Sequence, residues 1–98
     1  MPYIVLFKDN PNADPKIRVR LMPDHLAFLE SNSGEIKAAG PLTTDAGEAA
    51  GGLWIIDTAS KARVFTLIEA DPFWPTGLRA GYEILNWRQV FADGARRI

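Results

Sequence analysis

Two side chains in this sequence could move a proton on a small molecule: His25 and Asp71. His25 is the single histidine, with Leu21, Met22, Phe28 and Leu29 one helical turn away from it. An imidazole beside such an apolar face can serve as a general acid or base. It can equally be a structural histidine bonded to a carbonyl, and the residue types leave both readings open. Asp71 opens the run Asp71-Pro72-Phe73. Pro72 forces Asp71 out of helical backbone and stiffens the turn. A carboxylate held in this way can orient an imidazole or take a proton itself, or simply bond the local backbone as turn aspartates do.

Three further residues carry binding chemistry. Arg18 lies two helical turns before His25 on roughly the same face, where its guanidinium could grip an anionic group; a solvated helix arginine is the competing reading. Phe73 and Trp74 could wall a pocket for a flat apolar ring. Trp87 reads better as core or subunit interface.

Other chemistries lack their residues. There is no cysteine, which removes disulfides, thiolate catalysis and thiolate metal sites. One histidine and no cysteine give no expectation of a metal, and no cofactor is expected. Gly47, Gly51 and Gly52 do not form a dinucleotide fingerprint, and neither a phosphate-binding Walker loop nor a Gly-x-Ser-x-Gly elbow occurs. Eleven basic and twelve acidic residues are spread along the chain for a net charge of −1, with no basic stripe to attract phosphates. Nucleic-acid and membrane partners are therefore not expected. The opening apolar run is short and lacks a basic leader, so no secretory signal is expected. The absence of disulfides in so small a domain points to a reducing, cytoplasmic setting.

The elements that must position these residues follow from pattern. The 98 residues make one domain, 1–98. Residues 3–8 are β-branched and aromatic and read as a buried strand, and 9–14 are turn chemistry. Asp14 and Pro15 start a helix as N-cap and first helical residue. Its apolar positions recur to about Glu30, Pro23 should kink or split it, and Gly34 should cap it in a left-handed conformation. Residues 35–42 read as a second strand, 43–52 as a loop, 53–56 as a third strand core and about 60–70 as a second helix. Residues 71–75 are loop. Residues 81–91 alternate as a last strand. The order is β-α-β-β-α-β, an α+β class with ferredoxin-like topology and an antiparallel sheet covered by helices on one face. The other face is left to meet a partner or a ligand.

In this order the residues resemble the YCII family. The resemblance runs from Tyr3 to Trp87. It is carried by the opening strand Tyr-Ile-Val-Leu-Phe, Arg18 followed by His25-Leu26-Ala27-Phe28-Leu29, Ala39-Gly40-Pro41-Leu42, Gly52-Leu53-Trp54-Ile55-Ile56, Thr58-Ala59-Ser60-Lys61-Ala62, Asp71-Pro72-Phe73, Gly77 and Glu83-Ile84-Leu85-Asn86-Trp87. It implies a homodimeric α/β barrel with a pocket between sheet and helices in each subunit, and a histidine–aspartate active site that falls on His25 and Asp71. It also implies cofactor-independent proton chemistry on a small-molecule substrate. That chemistry would be dehydrochlorination of a chlorinated hydroxyhydroquinone, or isomerisation as in the muconolactone isomerases of related fold. A non-catalytic binding module and a monooxygenase-like barrel are the alternative readings.

Overall fold

The computed structural model describes residues 2–98. Strand β1 spans Pro2–Asp9, helix α1 Lys16–Ser31, β2 Ile36–Thr43, β3 Ala49–Asp57, helix α2 Lys61–Ala70 and β4 Arg79–Asn86, with one 3-10 turn at Trp74–Thr76. The four strands form one sheet in the order β2-β3-β1-β4, and the three neighbouring pairs are all antiparallel. Each helix connects two strands that lie apart in the sheet, so the chain has the ferredoxin-like α+β arrangement expected from its sequence.

Alternation along β1 sets up the core. Tyr3, Val5 and Phe7 face the helices and are buried, as are Trp54 and Ile56 on the neighbouring strand. Val64, Leu67 and Ile68 of α2 pack onto them, with Phe28 and Leu29 of α1 at the margin. The residues between, Ile4, Leu6, Leu53 and Ile55, point to the opposite face and are only half-buried. Among the described residues, no helix covers that face.

Four boundaries differ from expectation, each for a local reason. Helix α1 runs unbroken through Pro23. The carbonyl that loses its N–H partner there is that of Val19, a residue 79% exposed, so water can satisfy it. Asp14 supports the helix start, its Oδ1 accepting from the Lys16 N–H at 2.9 Å, with Pro15 rather than Asp14 in the cap position. Gly34 is not the cap. The helix ends when the Asn32 side chain donates to the Phe28 carbonyl at 2.9 Å, and Gly34 is not among the glycines with positive φ.

Strand β3 begins at Ala49, inside the predicted loop, because Thr43 and Ala49 pair across a tight turn over 44–48. Strand β4 stops at Asn86 rather than near 91. Its pairing with β1 runs as far as Tyr3 opposite Asn86, and the Trp87 N–H then donates to the Pro2 carbonyl at 3.0 Å. The last residues instead form a small hairpin, β5 (Phe91–Ala92) against β6 (Ala95–Arg96), turning on Asp93 and Gly94, both at positive φ. Among the described residues no helix is long and apolar enough to cross a membrane.

Candidate active site

Helix α1 presents Arg18, Met22, His25 and Leu29 along one row, each three or four residues from the next, and all four border a cavity of about 120 Å³ between helix and sheet. Trp54 and Phe7 line it from the sheet. A dry cavity of about 150 Å³ accommodates benzene, and this space is a little smaller than that.

Asp71 reaches the site from the far end of α2. It caps that helix in extended backbone (φ −66°, ψ 127°), as the following Pro72 requires. Its carboxylate is fully buried. Oδ1 lies 2.8 Å from His25 Nδ1 and also accepts the Phe73 N–H at 3.0 Å. The turn role and the imidazole-orienting role, alternatives in the sequence, are thus performed by one oxygen. Oδ2 accepts from Arg79 at 2.9 Å.

Burial alone would push the Asp71 carboxyl up. The hydrogen bonds from His25 and the Phe73 amide and the positive charge of Arg79 outweigh it, so the carboxyl is held below the usual carboxylate value. An ionised Asp71 can only accept, which places the proton of the neutral imidazole on Nδ1 and leaves Nε2 as its unengaged nitrogen.

Arg79 is the site residue that sequence reasoning missed. It is the first residue of β4, and its guanidinium carbon stands 3.9 Å from the centre of the Phe7 ring and 5.6 Å from those of Trp54 and Phe73. In the sequence it is an arginine at the edge of an alternating strand. Only the pairing of β4 with β1 brings it over Phe7 and against Asp71, and no spacing signal marks it beforehand.

Phe73 and Trp74 do not stand where a pocket wall was expected. Neither borders the His25 cavity. Phe73 is completely buried behind His25, its ring stacked on the imidazole with centroids 4.3 Å apart. The turn closed by Asp71 folds it inward, against Ile17 and Leu78. Trp74 opens the 3-10 turn and is carried away to the core, edge-on to Tyr82 at 5.1 Å. Arg18 does border the cavity, with its guanidinium 5.8 Å from the Phe73 ring centre. Among the described residues, no group of three or more His, Cys, Asp or Glu side chains is placed to hold a metal ion.

The YCII-related domain family matches residues 1–88, almost the whole chain. The chain belongs to the YCII-related family. In structure this YCII-related chain is similar to 5-chloro-2-hydroxyhydroquinone dehydrochlorinase (TftG) from Burkholderia phenoliruptrix AC1100, solved in complex with 2,5-dihydroxybenzoquinone. The TM-score is 0.75 and the identity 29%, over 90% of this chain and 94% of that one. A second solved structure, the Arabidopsis thaliana protein At3g17210, has a TM-score of 0.48 and 13% identity over 94% of this chain and 97% of that one. No curated protein sequence matches the chain. The hairpin β5–β6 lies beyond the residues that the family covers.

Proposed function

We propose that this YCII-related chain is a cofactor-independent enzyme that moves protons on a small oxygenated ring, most simply to eliminate HCl from a chlorinated hydroxyhydroquinone. The observation that carries the reading is the buried 2.8 Å pairing of His25 Nδ1 with Asp71, at the edge of a cavity of about 120 Å³ between helix and sheet. The likeness to a dehydrochlorinase supports it. Isomerisation of a related enol or lactone would use the same groups.

The chemistry balances without a co-reactant. Tautomerisation first moves the proton of the neighbouring hydroxyl onto the chlorine-bearing carbon, one ring π pair forming the new C–H bond and the O–H pair forming a carbonyl. His25 Nε2 then takes the proton of a second ring hydroxyl, the oxygen–hydrogen electron pair becomes part of a second carbonyl, a ring π pair shifts toward the chlorine-bearing carbon, and chloride leaves with the electron pair of the carbon–chlorine bond. The ring loses one proton and one chloride. Asp71 holds the imidazole in its working tautomer and stabilises the imidazolium formed on proton uptake. Arg79 keeps Asp71 in place, and Arg18 holds an oxyanion of the substrate.

In the same reading the working unit is a homodimer in the cytoplasm. Its support is the sheet face bearing half-buried Ile4, Leu6, Leu53 and Ile55, which neither helix covers.

The test is chloride release from 5-chloro-2-hydroxyhydroquinone by wild type and by His25→Ala. Release by wild type that is lost in a folded variant is the expected result. Equal turnover by the two would sink the role of His25. Ring binding without chloride release would move the assignment to isomerase or plain binder.

A further inference from the structure

The polar groups around the cavity are not all spoken for. Arg79 is engaged by Asp71, and His25 Nδ1 likewise. Two groups keep unused hydrogen-bonding capacity: Asp9, at one of its oxygens, and Arg18. Both border the cavity beside His25, and both, with Pro41, also border a second space of about 230 Å³.

The route by which Asp9 arrives there is specific. The register between β1 and β4 shifts between Lys8 and Asp9, so Asp9 pairs with Arg79 out of the regular alternation. Such bulges re-aim a side chain. Asp9 Oδ2 accepts the Gly51 N–H at 2.8 Å, which fixes the carboxylate against the start of β3. Its Oδ1 accepts no hydrogen bond from any described residue. Arg18 has no carboxylate partner among the described residues, and its charge repels that of Arg79 while Asp9 attracts it. The site therefore holds one unmatched acceptor and one unmatched cationic donor on neighbouring elements. The complement of that pair is a ring carrying a hydroxyl to donate and an oxygen to accept.

We propose that Asp9 is a specificity-determining residue: it accepts a hydrogen bond from a free ring hydroxyl, and so selects polyhydroxylated rings over fully ionised ones. This rests on the reading of the cavity as a ring-processing site. A hydroxyl pointed at Asp9 Oδ1 gains a charge-assisted hydrogen bond. A substrate that has already lost its protons meets a like charge instead.

The experiment is an anaerobic calorimetric titration of two probes at neutral pH, 1,2,4-trihydroxybenzene, which keeps its hydroxyl protons, and 2,5-dihydroxybenzoquinone, which is anionic. Each is titrated into wild type and Asp9→Asn. Asparagine keeps a carbonyl oxygen for the Gly51 N–H and turns an amide donor toward the cavity. The expected result is that the variant binds the triol at least about tenfold more weakly, the scale of one hydrogen bond to a charged group, while the quinone binds unchanged or tighter. Triol affinity equal to wild type overturns the proposal. So does an equal loss for both probes, which would mean that Asp9 only holds β3 in place. If wild type binds neither probe, the ring-processing reading fails and this inference falls with it.

Discussion

Two carboxylates in this chain are supplied with nearly the same kit of donors. Asp71 accepts from His25, the Phe73 amide and Arg79. Glu35 accepts from Thr58 at 2.7 Å and from two nitrogens of Arg63, at 3.0 Å and 2.9 Å. Both are held below the usual carboxylate range, Glu35 by its bonds to Arg63 and Thr58, Asp71 by its three partners working against burial. What separates them is water. The Asp71 side chain is 0% exposed and Arg79 beside it 8%, whereas Glu35 and Arg63 are 30% and 43% exposed. If Glu35 loses its partner, water takes the place. If Asp71 is lost, three donors, the His25 imidazole, the Phe73 amide and the Arg79 guanidinium, lose their acceptor in the interior. Comparable hydrogen bonding thus makes a tie at the surface and a committed site in the core.

The largest effect should come from Asp71→Ala. It leaves Arg79 buried and unpaired, and breaking such a pair costs about 3–5 kcal/mol. Small domains have only about 5–15 kcal/mol in all. Urea unfolding of Asp71→Ala should therefore begin close to native conditions, and a midpoint near that of wild type would show that Arg79 finds another partner.

His25→Asn should separate the site from the fold. Arg79 and the Phe73 amide still hold Asp71, so the thermal midpoint should move little. On the proposed reaction kcat should fall about 10²–10⁴-fold, the usual contribution of a placed acid or base.

Acid titration sharpens the comparison further. Asp71 binds its proton more weakly folded than unfolded, where a free aspartate sits near about 3.9. The stability it contributes is therefore fully present above that value and is lost as the pH falls through the lower folded value. The same sign holds for Glu35. Circular dichroism between roughly pH 5 and 2 should show a shallower loss of stability in Asp71→Asn than in wild type, relative to each protein's neutral value. An unchanged slope would mean that Asp71 titrates alike in both states.

The smallest effect is expected from Arg63→Ala. A pair this exposed is screened by water and salt. Its removal should leave ring binding and turnover at wild-type values, and any shift of the unfolding midpoint should vanish in high salt.

Much of this was legible in the residues. The β-branched runs and the Asp14-Pro15 start carry local information, and they place the strands and α1 close to where they lie. His25 and Asp71 stand out because one is unique in the chain and the other precedes a proline. What sequence could not give are features made by pairing. Arg79 enters the site because β4 lies beside β1. Asp9 reads as turn chemistry until the bulge re-aims it. The aromatic pair Phe73-Trp74 looks like one wall, and a 3-10 turn sends its two rings to different places. The small-residue run before Leu53 reads as loop because its strand character depends on Gly51. That residue has a φ of 95°, and a Cβ there would collide with the Phe7 carbonyl.

The placement of Trp54 gives the site an optical reporter of its own. The indole is 2% exposed, borders the cavity and stands edge-on to Phe7 with the Arg79 guanidinium nearby. Its emission should lie at short wavelength, and a quinone seated in the cavity would quench it at near-contact range. Trp87, 37% exposed, and the half-buried Trp74 should emit further to the red, and neither borders that cavity. Occupancy can therefore be followed in the unlabelled protein by the colour of the light that disappears.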